Sequence, residues 1–132
     1  TLPFVSDLER LEDLDDPFNQ ENNLEIPIWR SVTWGDLNSR ITGAQVDGLT
    51  GRPQFGKEKV MEYLQKHDCN ILIRAHQPKM QGWSFSDKAL TIFTSQSYVD
   101  NNRAYERDIA IVDLEDGVKG KEDVEVLGLG EL

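Results

Sequence analysis

The feature that most restricts how this chain can fold is an abrupt change of period between residues 57 and 77. Residues 57–67 read KEKVMEYLQKH. Val60, Met61 and Leu64 fall at i, i+1 and i+4, which on a 3.6-residue period makes one apolar helix face. Lys66 and His67 stand at the C-terminal end, where the macrodipole favours positive or dipolar groups, so His67 reads most simply as a helix-end residue. Asp68, Cys69 and Asn70 form the turn out. Ile71-Leu72-Ile73 then follows without interruption, which predicts a strand buried on both faces. It ends in the polar tetrad Arg74-Ala75-His76-Gln77. A strand that finishes in Arg, His and Gln is a common way to present chemistry at a sheet edge.

The rest of the chain is arranged around that unit. Residues 89–94 (ALTIFT), 108–114 (DIAIVDL) and 124–129 (VEVLGL) are short and β-rich, with no helical pattern between them, and predict an antiparallel meander. Residues 78–88, with Gly82 and Trp83, read as a turn region. Residues 95–107 are a long polar connection. Residues 115–132 form an acidic, Gly-rich tail with one further β-like run. Upstream, residues 6–16 (SDLERLEDLDD) pair Ser6 with Glu9 in a capping-box form and space Leu8, Leu11 and Leu14 on a narrow stripe, with Pro17 as the stop. This reads as a short solvated helix, with an acidic docking site as the alternative. Residues 18–50 are punctuated by Asn19, Asn22, Asn23, Pro27, Gly35, Gly43 and Gly48, and predict a long loop pinned by Trp29 and Trp34.

Size and charge narrow the function classes. A chain of 132 residues and 15.1 kDa is one domain or a piece of one. Its 14 Lys and Arg against 24 Asp and Glu give a net charge of −10, which argues against nucleic acid and against an anionic membrane surface as partners. At 38% hydrophobic and 29% charged, it has enough for a core but little for a self-contained domain, so an extended or borrowed surface is expected. Cys69 is its one cysteine, so there is no internal disulfide framework; a reducing compartment or simple indifference to redox fits, and a cytoplasmic setting is expected. No apolar run approaches the roughly 18 residues that span a bilayer. The chain begins at Thr1 rather than Met, so processing or a longer parent protein is expected.

Residue by residue, few groupings carry chemistry. A metal site needs three or four donors, and His67 and His76 lie across a helix end and a whole strand from each other. Arg74 and Arg103 are candidates for bidentate capture of phosphate or carboxylate. Residues 51–56 (GRPQFG) lack the Lys-Ser/Thr of a phosphate loop, and Gly-x-Ser-x-Gly is absent. A Cys69–His67 dyad has no third residue to orient it.

Larger blocks are more specific. Phe55-Gly56, the helix ending Tyr63-Leu64-Gln65-Lys66-His67-Asp68, and Ile71-Leu72-Ile73-Arg74-Ala75-His76-Gln77 together resemble the C-terminal half of the serine/threonine phosphoprotein phosphatases, a branch of the calcineurin-like metallophosphoesterases. Gly82, Thr91-Ile92-Phe93-Thr94-Ser95, Ser97-Tyr98 and Ala110-Ile111-Val112-Asp113 are similar to the elements that follow in that family. Leu2-Pro3 with the acidic helix, and Trp34-Gly35-Asp36, are similar more loosely to elements that precede them. The closest match runs from residue 55 to residue 113.

The resemblance implies a two-metal phosphoesterase, in which manganese, iron or zinc clamps a phosphoryl group and activates a bridging water. It implies His76 as a ligand of one metal, Arg74 beside it as a supporting charge, and Tyr98 over the metal pair. The phosphate-clamping arginine of the family's Asn-Asp-Arg-Gly element falls nearest to Arg52, at a different offset, with Arg40 as a second option. Ser97 replaces the usual Asn before Tyr98. The family's other metal-ligand motifs, Gly-Asp-x-His-Gly among them, do not occur here. The resemblance therefore implies that residues 1–132 are a single unit from the C-terminal part of a larger catalytic domain. Its partners would be the missing N-terminal half and a phosphoprotein or phosphoester substrate. The rival expectation is a non-catalytic interaction module derived from the same family. The expected fold class is α+β: half of a metallophosphoesterase-type α/β sandwich, with one clear helix on a mostly antiparallel sheet.

Overall fold

A computed structural model describes residues 27–101 and 104–130. The predicted helix over residues 6–16 lies outside them, as does Arg103. The chain divides into two compact units, with the boundary between Lys59 and Val60.

In the first unit, helix α1 (Pro27–Trp34) leads into β1 (Asp36–Leu37), β2 (Ala44–Val46) and β3 (Pro53–Phe55). These strands form a sheet in the order β1-β3-β2. β1 runs parallel to β3 (Asp36 opposite Gln54), and β2 runs antiparallel to it (Gln45 opposite Gln54). Gln54 ties the sheet through its side chain: its Oε1 accepts from Asn38 Nδ2 at 3.0 Å and from Gln45 Nε2 at 3.1 Å. Phe55 is completely buried, a burial that contributes on the order of 1.5–3 kcal/mol. Gly56 follows it and donates its N–H to the Gly43 carbonyl at 2.7 Å.

The long loop expected over residues 18–50 is therefore interrupted by a helix and two strands. Residues 27–34 (PIWRSVTW) are rich in β-branched and aromatic residues with weak helix propensity. Pro27 suits a first helical turn, and contact with β3 supplies what propensity does not.

Helix α2 (Lys57–Lys66) spans the boundary between the units. It buries Val60 and Leu64, as its period predicts, and leaves Met61 38% exposed. In the second unit β4 (Leu72–Arg74), β5 (Gly82–Ser84) and β6 (Ala89–Thr91) form a sheet ordered β4-β6-β5, with β4 parallel and β5 antiparallel to β6. Ala89, Leu90 and Thr91 are fully buried and form its centre. Helix α3 (Gln96–Asp100) precedes a two-stranded antiparallel ribbon of β7 (Asp108–Val112) and β8 (Val124–Gly128). Two 3₁₀ turns, Pro78–Met80 and Lys121–Asp123, complete the unit.

Three of the five strand pairings are antiparallel, and the class is α+β with one clear helix. Three local expectations are corrected. Residues 89–94, 108–114 and 124–129 do not make one meander. Both edges of β6 are taken, one by β4 and one by β5, so β7 pairs with β8 instead. Nor is β4 buried on both faces: it stands at a sheet edge, and Ile73 is 36% exposed. The region read as a turn, residues 78–88, contains β5. Its hairpin to β6 passes through Phe85, Ser86 and Asp87, all at positive φ (54°, 57° and 60°).

Candidate functional site

The site expected from the sequence begins at the end of β4. Arg74 is its last residue and is only 6% exposed. The parallel register sets it opposite Thr91, and its Nη1 donates to Thr91 Oγ1 at 3.3 Å. The chain stays paired for one step more, with Ile92 N–H donating to the Arg74 carbonyl at 2.9 Å. It then turns sharply. His76 adopts φ 84°, a left-handed conformation that costs a non-glycine residue about 1–2 kcal/mol. Gln77 is extended again and opens the Pro78–Met80 turn. The side-chain atoms Arg74 Nε and His76 Nε2 are both shielded from solvent.

Because β4 and β6 are parallel, the segments that follow them leave from the same end of the sheet. One carries His76. The other carries Phe93 and then Tyr98 on α3. Tyr98 is 37% exposed, and its ring lies 4.9 Å from that of Phe93 at 54°. Phe93 is itself clamped by Asp108, which is 5% exposed. Asp108 donates its N–H to the Phe93 carbonyl at 2.8 Å, and its carboxylate accepts the Phe93 N–H. Arg74, His76 and Tyr98 thus belong to one unit and one end of one sheet.

Arg52 belongs to the first unit. Its guanidinium lies 5.0 Å above the Trp34 ring and 4.0 Å from the Asp36 carboxylate, both within that unit. The loop before it is closed by Asp47, whose N–H donates to the Arg52 carbonyl at 2.9 Å. The Asp47 carboxylate accepts from Thr50 N–H and Thr50 Oγ1, each at 2.8 Å, and from Leu49 N–H at 3.1 Å. These bonds, those from Thr50 foremost, hold its carboxyl below the usual value of 3.8. Arg40 sits in an exposed turn, its N–H on Asn38 Oδ1. The side chain of Trp29 lies outside the described residues.

Cys69 and His67 take different side-chain partners. Cys69 is exposed, and its Sγ lies 3.3 Å from the backbone carbonyl of His67 rather than addressing the imidazole. The His67 ring instead rests against Tyr63, centroids 4.4 Å apart. Burial raises the Tyr63 phenol above its usual value.

Sequence reasoning did not single out Thr91, Asp108 or Gln81, which together hold the ends of these segments. For Thr91 the available signals were its polarity within the ALTIFT run and its place in the block similar to the phosphatases, neither of which gave it a role. Asp108 and Gln81 carry no pattern of their own.

Comparison with known proteins adds one observation. No family model matches the chain. A serine/threonine-protein phosphatase of Caenorhabditis elegans is 27% identical over 104 residues, which cover 74% of this chain and 21% of that protein. The chain is similar to a serine/threonine phosphatase. It spans about a fifth of the length of the relative it matches. Among the described residues no helix is long and apolar enough to cross a membrane.

Proposed function

We propose that this chain is the C-terminal part of a metal-dependent phosphoprotein phosphatase that hydrolyses phosphoserine, phosphothreonine or small phosphomonoesters. The observation that carries the reading is the backbone of His76. An imidazole is held in a left-handed conformation two residues after a buried arginine, just past the C-terminal end of a strand in a parallel pair. Local strain of that kind persists where the surroundings over-determine it, and it clusters at functional sites. The likeness to a serine/threonine phosphatase supports the same direction.

Among the described residues no group of three or more His, Cys, Asp or Glu could hold a metal ion. The donors among the described residues therefore do not make a complete metal centre. In the proposal, His76 contributes a single neutral imidazole nitrogen to a centre whose other ligands lie in the N-terminal half of the catalytic domain. Arg74 supplies a fixed positive charge beside it, and Tyr98 orients phosphate or solvent.

The test is His76→Ala in the complete protein. Hydrolysis of an aryl phosphate should fall by at least roughly 10–100-fold, the loss that even the outer partners of a metal ligand produce. Unchanged turnover, or an upstream sequence without a Gly-Asp-x-His motif, would refute the reading.

A further inference from the structure

Gln81 is fixed on both sides. Its N–H closes the Pro78–Met80 turn on the Pro78 carbonyl at 3.2 Å, and Gly82 after it, at φ 93°, starts β5. Its side chain reaches 24 and 25 residues along the chain. Oε1 accepts the Tyr105 N–H at 3.0 Å, and Nε2 donates to the Glu106 carbonyl at 2.7 Å. A primary amide carries an acceptor and a donor side by side, so it engages passing backbone much as a neighbouring strand would.

The segment it grips is connected to Tyr98 in two ways. Ala104, next to Tyr105, donates its N–H to the Tyr98 carbonyl at 3.2 Å. Two residues beyond Glu106, Asp108 holds Phe93, against which the Tyr98 ring packs. Helix α3 has five residues, and Ser95 at its N-terminus makes no side-chain capping bond; its own side-chain bonds run from Gln96 Nε2 to Asp100 Oδ1 at 2.7 Å and from Asn101 Nδ2 to the Ser97 carbonyl at 2.6 Å. One turn of helix is marginal without tertiary support, so the grip on residues 104–106 adds to what holds Tyr98 in place.

We infer that Gln81 is a positioning residue for Tyr98. It acts through residues 104–106 and touches no reacting atom. The value of Tyr98 to catalysis rests on the phosphatase reading; the grip itself rests on these hydrogen bonds.

Amide exchange in the 132-residue chain tests the grip. Gln81→Met keeps the length and removes both bonds, and the Ala104 N–H should then exchange about tenfold faster. The Ile92 N–H, bonded to Arg74 at the sheet end, should be unchanged. Gln81→Glu keeps the acceptor for Tyr105 and loses the donor; it should give an intermediate rate and covers the case in which Gln81→Met does not fold. Unchanged Ala104 exchange in the folded variants overturns the inference.

In the complete protein, Gln81→Met should lower kcat for an aryl phosphate several-fold. It should add nothing once Tyr98→Phe is present, because residues acting through one group are not additive. Additive losses overturn the positioning role. Faster Ala104 exchange, with turnover untouched by Tyr98→Phe, upholds the grip and instead removes Tyr98 from the phosphatase reading.

Discussion

Gly56 should not tolerate a single added methyl group. A Cβ built there would lie 2.2 Å from the Ile41 carbonyl oxygen, 2.9 Å from the Ile41 carbonyl carbon and 3.2 Å from Thr42 Cα. All three atoms are backbone, so no flexible side chain can swing aside. Restoring ordinary contact at 3.4 Å means parting the two segments by about 1.2 Å, which also stretches the 2.7 Å bond from Gly56 N–H to the Gly43 carbonyl past useful length. Overpacking of this kind costs about 1–3 kcal/mol, and the lost hydrogen bond about 0.5–1.5 kcal/mol. Alanine returns about 0.4–1 kcal/mol by restricting the unfolded chain. The net expectation for Gly56→Ala is a loss of roughly 0.5–4 kcal/mol, centred on about 2 kcal/mol, a large part of the stability of a small domain. Urea unfolding followed by tryptophan fluorescence measures it. Gly48→Ala is the control, because a Cβ there meets nothing within 4 Å. If the two variants unfold within about 0.5 kcal/mol of each other, a margin typical of surface substitutions, the close approach is not what selects glycine beside Phe55.

Two further outcomes follow from local geometry. The Asp47 carboxyl is held below its usual value of 3.8, so the bonds it accepts stabilise the β2–β3 loop above that pH and are lost as the pH falls through the depressed value. The Thr50 amide resonance should therefore move on acidification from roughly pH 5 towards pH 2, and Asp47→Asn should abolish the movement; a pH-independent Thr50 amide in the parent chain would count against the loop geometry. At His76, where φ is 84°, His76→Gly should be about 0.5–1 kcal/mol more stable than His76→Ala, because only glycine occupies that region without a Cβ penalty. Equal unfolding midpoints would mean the residue is not strained.

Much of the second unit was legible in the linear pattern. Val60 and Leu64 repeat on a helical period and are the buried residues of α2. The turn over residues 68–70 and the strand that ends at Arg74 follow from the loss of that period. The first unit was harder to read. Pro27–Trp34 has the composition of a strand and the punctuation of a loop, and only contact with β3 makes it a helix. The pairing of β4 with β6 was also hidden, since a three-residue strand carries almost no register information. The meander was the simplest reading of three neighbouring β-rich runs, and it failed because β6 had both edges occupied.

The candidate site divides along the same line. The resemblance of blocks of sequence to the phosphatases is what picked out Arg74, His76 and Tyr98 as the residues of interest. The linear pattern by itself also determined the helix and the strand. Tertiary structure decided what holds those residues in place. Arg74 is buried because the parallel register brings Thr91 beside it. Tyr98 is steadied by Asp108 through Phe93, and by Gln81 through a segment 24 residues further along the chain. Such contacts join positions with no periodic relation, and a hydrogen bond between side chain and distant backbone leaves no mark on the local sequence. For that reason the helix and strand could be read from the amino acids, and the bonds that position Tyr98 could be read only from the fold.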